Sequence, residues 1–191
     1  MRPQKLIIGL MIAAFISLLA VGGTLLFANR QPQLGGNFTA QTEKGNWNFS
    51  DDAKPLNLLY VGYVKCPDVC PMALAFAAEA FRKLSEKELG KVRLTFISVD
   101  IEHDTVKSVA DYALQFHPNF IGLSGSKQQM DDIMKLFGAS YMVEQNPKSY
   151  LGYSIAHTDR IFFLNKKGKV LDSLPNPRSA DSVVQKIKEN L

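Results

Sequence analysis

Two nearly continuous apolar runs, at residues 56–64 and 92–99, constrain the fold of this chain most strongly. Neither run alternates between polar and apolar residues, so each predicts a strand that is covered on both faces. Between them, residues 72–87 carry apolar side chains at helical spacings, as at Leu74, Ala78 and Phe81. A buried strand, a helix and a second buried strand in succession indicate an α/β sheet with a parallel part.

Similar patterns continue along the chain. The sequence predicts helices at residues 106–116, 127–137 and 179–190 and a short strand at residues 120–123. It also predicts two hairpins, one within residues 38–49 around Lys44 and Gly45, the other within residues 160–174. The hairpins add an antiparallel part, so we expect an α/β domain whose central sheet is flanked by helices.

The N-terminal segment predicts a membrane anchor. Residues 6–27 form an uncharged run of 22 residues, long enough as a helix to cross a hydrocarbon core of about 30 Å. Arg2 and Lys5 precede this run and only Arg30 follows it closely, which predicts a domain facing away from the cytoplasm. A signal peptide cleaved at Gly23 is the alternative, but the apolar run continues past that cut.

These patterns predict three parts: an anchor at residues 1–28, a polar linker at residues 29–36 and a domain at residues 37–191. We expect a single-pass protein of the cell membrane with its domain on the periplasmic or extracellular face. Three of the 22 basic residues and none of the acidic ones precede Gln31, which leaves 19 basic against 18 acidic residues in the remainder. This near-neutral charge argues against binding to nucleic acid.

The two cysteines lie in the motif Cys66-Pro67-Asp68-Val69-Cys70-Pro71, where the first buried strand ends and a helix begins. Ligand sites in open α/β sheets lie at the carboxyl ends of strands. A helix N-terminus stabilises thiolates, and Lys65 adds a cation beside Cys66. We therefore predict that both sulfurs ionise more readily than a free thiol.

Several kinds of chemistry use paired cysteines. A structural disulfide suits an oxidising compartment, although a bridge across so short a loop restrains the unfolded chain little. Redox enzymes of the thioredoxin kind use Cys-x-x-Cys, and a thiol peroxidase would need Thr where this chain has Tyr63. Two thiolates with one imidazole favour Cu(I), whereas structural zinc normally takes four protein ligands.

The chain has three histidines that could supply the imidazole. His157 precedes the strand predicted from residue 160 and is placed on a loop leading into the sheet; its position alone favours a structural role over metal binding. His103 lies in a polar loop and is expected to be solvated. His117 follows a predicted helix and precedes a proline, so it is expected to be a surface or capping residue.

Other residues near these motifs have simpler interpretations. Met130 and Met134 share a helical face and are expected in the core, while Met72, two residues after Cys70, is a further candidate to reach a metal. A cluster of lysines in the second predicted hairpin is interpreted as a solvated turn. It comprises Lys166, Lys167 and Lys169.

Four segments in order resemble the Sco/SenC family of membrane-anchored copper proteins: GYVKCPDVCP, FISVDIEHDT, GLSG and IAHTDRIFFLNKKGKV. The resemblance extends from about residue 38 to residue 191. It implies a thioredoxin-like fold and Cu(I) or Cu(II) bound by Cys66, Cys70 and His157. It also implies a role in assembling the dinuclear copper centre of cytochrome c oxidase subunit II.

The chain departs from the family pattern at several positions without losing a ligand. Val64 and Lys65 precede the first cysteine where the family often has Thr-His or Thr-Phe, Ile101 stands where a proline is common, and Met72 replaces a common threonine. Asp68 matches the family and is expected to meet the partner, to tune the site or to serve as a turn residue.

The resemblance favours a metallochaperone that passes copper to a cuproprotein target. A protein with this role is not an enzyme. The alternative is a thiol-disulfide reductase that keeps the cysteines of the target reduced. The reductase would use Cys66 and Cys70 as a redox pair and would not need His157, so the histidine distinguishes the two functions.

Overall fold

The computed structural model describes residues 11–12, 14–19, 22 and 33–191. The chain divides into two units, Met1–Gln33 and Leu34–Leu191. In the first unit, residues 11–12, 14–19 and 22 are helical. No helix within the described part of the chain is both long and apolar enough to cross a membrane. Most of the predicted anchor, and the alternative cleavage site at Gly23, lie outside the described residues.

A five-stranded mixed sheet forms the centre of the second unit, with its strands in the spatial order Phe120–Leu123, Val92–Ser98, Leu56–Gly62, Arg160–Asn165 and Val170–Pro175. The two apolar runs form β3 (Leu56–Gly62) and β4 (Val92–Ser98), which pair in parallel and are buried along their whole length. β5 (Phe120–Leu123) continues the parallel part, whereas β8 (Arg160–Asn165) and β9 (Val170–Pro175) are antiparallel to their neighbours. The predicted combination of parallel and antiparallel pairing is confirmed.

Helices cover both faces of this sheet. The six helices of the second unit are α1 (Phe49–Asp52), α2 (Val69–Arg82), α3 (Glu86–Leu89), α4 (Val106–Phe116), α5 (Lys127–Phe137) and α6 (Ala180–Asn190). On one face Phe120 of β5 packs edge-on against Phe81 of α2, with ring centroids 5.0 Å apart. On the other face Phe162 of β8 contacts Phe137 of α5 at 6.0 Å.

Two further hairpins lie outside the central sheet. The first, β1 (Thr39–Thr42) and β2 (Gly45–Asn48), was predicted and turns at Gly45 with a positive φ of 101°. The second, β6 (Tyr141–Gln145) and β7 (Tyr153–His157), was not predicted. Most of β6 is exposed, so its sequence carries no regular alternation of buried and exposed residues. The loop predicted for His157 is therefore wrong, because this histidine is the last residue of β7.

The start of the second unit is hydrogen-bonded to the domain. The backbone of Gly36 donates to the Gly168 carbonyl at 3.0 Å, and the Leu34 carbonyl accepts from Val170 at 3.0 Å. Residues 34–36, assigned to the linker from the sequence, thus contact the turn between β8 and β9. The three lysines of that turn are exposed, as expected for a solvated turn.

The end of β3 meets the start of α2 very closely. A Cβ atom added at Gly62 would lie 2.5 Å from the Cys70 sulfur and 3.0 Å from the Phe96 ring. Only glycine therefore fits at this position without displacing a cysteine of the predicted metal site.

We predict that Gly62→Ala lowers the free energy of unfolding by about 1–3 kcal/mol, the range for overpacking a core, because the new methyl group displaces Cys70. Denaturant unfolding of the metal-free protein measures this change. Gly90→Ala is the matched control, because a Cβ atom there meets nothing closer than 3.6 Å. Equal stability of the two variants would contradict the close approach of α2 to β3.

Candidate metal centre

The cysteine loop connects β3 to α2. Cys66 lies in the loop, where its backbone donates to the Tyr63 carbonyl at 3.2 Å, and Cys70 lies in the first turn of α2. Lys65 and Asp68 are exposed, whereas Cys66 is 9% exposed and Cys70 is fully buried. The predicted location at the carboxyl end of a central strand is therefore observed.

The structure brings His157 to the two cysteines. The two sulfurs and one ring nitrogen of His157 all lie within 4.8 Å of one another. His157 Nε2 is 3.3 Å from the Cys70 sulfur, although the two residues are 87 positions apart in sequence. Within the described part of the chain, this is the one group of three or more Cys, His, Asp or Glu side chains close enough to hold a metal ion.

Two tyrosine rings contact the His157 ring. Tyr60 and Tyr63 each meet it edge-on, with centroid distances of 6.2 and 6.0 Å and interplanar angles of 87° and 86°. The Nδ1 atom of His157 lies 3.4 Å from the Thr158 carbonyl. A carbonyl oxygen only accepts, so this contact favours the proton on Nδ1 and leaves the Nε2 lone pair directed towards the sulfurs.

The two cysteines have opposite protonation behaviour. A hydrogen bond from the Cys70 thiol lowers the pKa of Cys66 to about 4, and contacts with the backbone N–H groups of Asp68 and Cys70 add to this effect. Burial raises the pKa of Cys70, and the neighbouring Cys66 thiolate adds to that shift. The prediction that both sulfurs ionise readily is therefore correct for Cys66 and wrong for Cys70, which the helix buries.

The other two histidines lie outside the cluster. His103 is exposed but has definite partners: its Nδ1 donates to Asp100 Oδ1 at 2.7 Å, and its ring stacks on Tyr153 at a centroid distance of 4.6 Å. His117 occupies the C-cap position of α4, as one of its two interpretations predicted. It is 7% exposed and packs against Phe81, so the surface interpretation is wrong.

Two methionines lie in the core, as the sequence predicts. Met130 and Met134 are buried on α5, at 0% and 5% exposure. Met72, the candidate to reach a metal, is 36% exposed in the first turn of α2.

Sequence reasoning missed the residues that surround His157. Tyr60 belongs to a continuous apolar strand and is indistinguishable from an ordinary core residue there. Its hydroxyl nevertheless donates to Asp159 Oδ1 at 2.8 Å, across a sequence separation of 99 residues. Burial raises the pKa of Tyr60, so its hydroxyl keeps the proton that it donates.

The donor set fits copper. Two sulfurs and one imidazole nitrogen are soft or intermediate ligands, which suit Cu(I) at low coordination number. A structural zinc site normally has four protein ligands, and neither His103 nor His117 joins the cluster. The described residues that meet here can therefore bind copper through Cys66, Cys70 and His157.

We predict that one thiolate is present at neutral pH in the reduced, metal-free protein, and that it belongs to Cys66. The ultraviolet absorbance of the thiolate should stay constant from mildly acidic to neutral pH, because a folded pKa of about 4 lies below that range. In Cys66→Ser the absorbance should be absent at neutral pH, since burial raises the pKa of the remaining thiol. Thiolate absorbance that grows only near the pKa of a free cysteine, about 8.5, would contradict this assignment.

Comparisons with known proteins agree with this site and fold. The SCO1/SenC family model matches residues 28–191. A mitochondrial SCO2 homologue of Mus musculus is 32% identical over 167 residues; the match covers 86% of this chain and 65% of that protein's length. The chain thus spans about two thirds of the length of this relative.

Two solved structures share the fold. Arabidopsis thaliana ScoI with copper bound is 28% identical with a TM-score of 0.75, covering 82% of this chain and 97% of that one. Apo Sco1 from Thermus thermophilus is 30% identical with a TM-score of 0.75, covering 85% of this chain and 95% of that one. The expected thioredoxin-like arrangement of a central mixed sheet and flanking helices is confirmed. The chain belongs to the SCO1/SenC family.

Proposed function

We propose that this protein is a membrane-anchored metallochaperone that delivers copper to the dinuclear centre of cytochrome c oxidase subunit II. The observation that carries the proposal is the convergence of Cys66, Cys70 and His157 within 4.8 Å at the carboxyl end of the sheet. Sco-family proteins take part in copper handling for cytochrome c oxidase assembly, which supports this target.

The accessibility of the site suits transfer of copper. The loop that carries Cys66 has exposed residues at Lys65, Pro67 and Asp68, so an incoming ligand from a partner can approach the metal from this side. Cys70 is fully buried and His157 is half-buried, so these two residues hold the inner side of the ion. Stepwise exchange of ligands at such a site passes copper without releasing a free ion.

A thiol-disulfide reductase is the alternative, and the protonation of the cysteine pair favours it. A thiolate at Cys66 beside a protonated Cys70 is the arrangement of an attacking and a resolving cysteine. In that reaction the Cys66 thiolate attacks a target disulfide, the Cys70 sulfur then attacks the mixed disulfide, and the protein leaves oxidised while the target leaves as a dithiol. Nothing in this exchange requires His157.

We predict that His157→Ala weakens Cu(I) binding by at least about a hundredfold, the upper end of the effect seen for groups that only support a ligand. Cys66→Ser and Cys70→Ser should lose copper as well, because a hydroxyl oxygen is a poor ligand for Cu(I). Competition with a Cu(I) chelator measures the affinity, and oxidase activity in cells carrying each variant measures function.

His103→Ala is the matched control for this experiment, because His103 is an exposed imidazole outside the cluster. It should bind copper and support oxidase assembly like the unchanged protein. Full oxidase assembly with His157→Ala, together with loss of assembly in both serine variants, would replace copper transfer with the reductase mechanism.

The second part of the proposal concerns the membrane. The 22-residue uncharged run and the positive charges before it support an anchor with the domain outside the cytoplasm. We predict that a reporter fused after Leu191 is active only on the non-cytoplasmic side and stays with the membrane fraction. A mature chain that starts near Gly23, or a reporter active in the cytoplasm, would contradict this topology.

A further inference from the structure

A largely buried carboxylate lies two residues after the metal-ligand candidate His157. Asp159 belongs to the short connection between β7 and β8, and its side chain is 14% exposed. Each of its oxygens has its own donor: the Tyr60 hydroxyl at 2.8 Å on Oδ1 and the Arg178 guanidinium at 2.6 Å on Oδ2. Its backbone carbonyl also accepts from Asn176 at 3.0 Å, so the connection is held at three points.

Tyr60 links this carboxylate to His157 and to the backbone beside Cys70. Its ring contacts His157 edge-on, and its hydroxyl lies 3.5 Å from the carbonyl of Val69, the residue before Cys70. Tyr60 is fully buried on β3, the central strand that leads into the cysteine loop. One side chain thus contacts His157, the segment that follows it and the backbone beside Cys70.

This arrangement resists the movement that would separate the ligands. Cys70 is fixed by the start of α2, whereas His157 ends a two-stranded hairpin whose other strand is mostly exposed. Tyr153 and Ile155 anchor β7 in the core, but His157 at its end is only half-buried, which gives little burial to hold the imidazole 3.3 Å from the Cys70 sulfur. The bonds of Asp159 to Tyr60 and Arg178 supply a further restraint directly after His157.

We propose that Asp159 and Tyr60 are positioning residues that hold His157 against Cys70 and so set how tightly the chain retains copper. The proposal rests on the metal site of the proposed function and adds residues that support its ligands. Groups that orient a metal-bound histidine change metal affinity by about 10- to 100-fold when they are removed.

The test uses the full-length chain in detergent, with copper alone as the probe. Tyr60→Phe removes one hydroxyl and leaves Asp159 paired with Arg178, so it is the variant least harmful to folding. Asp159→Ala removes the carboxylate, and Asp159→Asn restores an acceptor for Tyr60. Asp172→Asn is the matched control, since it breaks a carboxylate–lysine pair of 2.8 Å with Lys186 between β9 and α6.

We expect Tyr60→Phe and Asp159→Ala to weaken Cu(I) binding about tenfold or more and to change the Cu(II) electron paramagnetic resonance spectrum. Asp159→Asn should recover most of the affinity. The Tyr60→Phe/Asp159→Ala double variant should lose little more than Asp159→Ala, because both changes break the same link. Asp172→Asn should leave affinity and spectrum unchanged, even if its melting temperature falls equally.

A second measurement separates this proposal from the proposed function. The nitrogen chemical shifts of the His157 imidazole in the metal-free protein report its tautomer and contacts, and they should change in Tyr60→Phe but not in Asp172→Asn. If copper does not bind through Cys66, Cys70 and His157 in the unchanged chain, the metallochaperone function is refuted, but the positioning of His157 by Tyr60 and Asp159 is not. Unchanged imidazole shifts, or affinity and spectrum that stay unchanged in Tyr60→Phe and Asp159→Ala, would overturn the positioning role.

Discussion

The pairing of β3 with β4 on one side and β8 on the other is the constraint on which the rest of the structure depends. β3 and β4 are buried along their whole length, so their register cannot shift without exposing apolar surface to water. The cysteine loop follows β3 directly and so lies at the carboxyl end of this fixed central strand. The antiparallel neighbour β8 begins at the same end of the sheet and therefore places the preceding residue His157 beside that loop.

Hydrogen bonding at one sulfur and burial at the other give the two cysteines different properties. The close approach of α2 to Gly62 buries Cys70 and keeps it protonated, while the hydrogen bond that Cys66 accepts from Cys70 keeps Cys66 as the thiolate. Cu(I) held by both sulfurs would replace the shared proton, because cysteine binds metals as the thiolate. The same asymmetry serves thiol exchange, which is why the imidazole is the residue that separates the two functions.

The supporting groups belong to distant parts of the chain. Tyr60 comes from the central strand, Asp159 from the connection after β7 and Arg178 from the segment before α6. Their contacts tie the hairpin that carries His157 to the core of the sheet. His157, at the end of a hairpin with one mostly exposed strand, thereby acquires a defined position without being buried completely.

Local patterns in the sequence determined the fold class and half of the site. Continuous apolar runs predict buried strands, helical spacing predicts the helices, and the cysteine motif falls where a strand ends and a helix begins. The sequence shows these features because each signal depends on residues close together in the chain. The family resemblance, carried by ordered motifs, implied His157 as a third ligand. Only the tertiary structure decided that His157 ends β7, that Cys70 keeps its proton and that Asp159 bonds to Tyr60. These features arise from contacts across up to 99 positions in sequence and from burial by other elements, neither of which leaves a periodic signal in the chain.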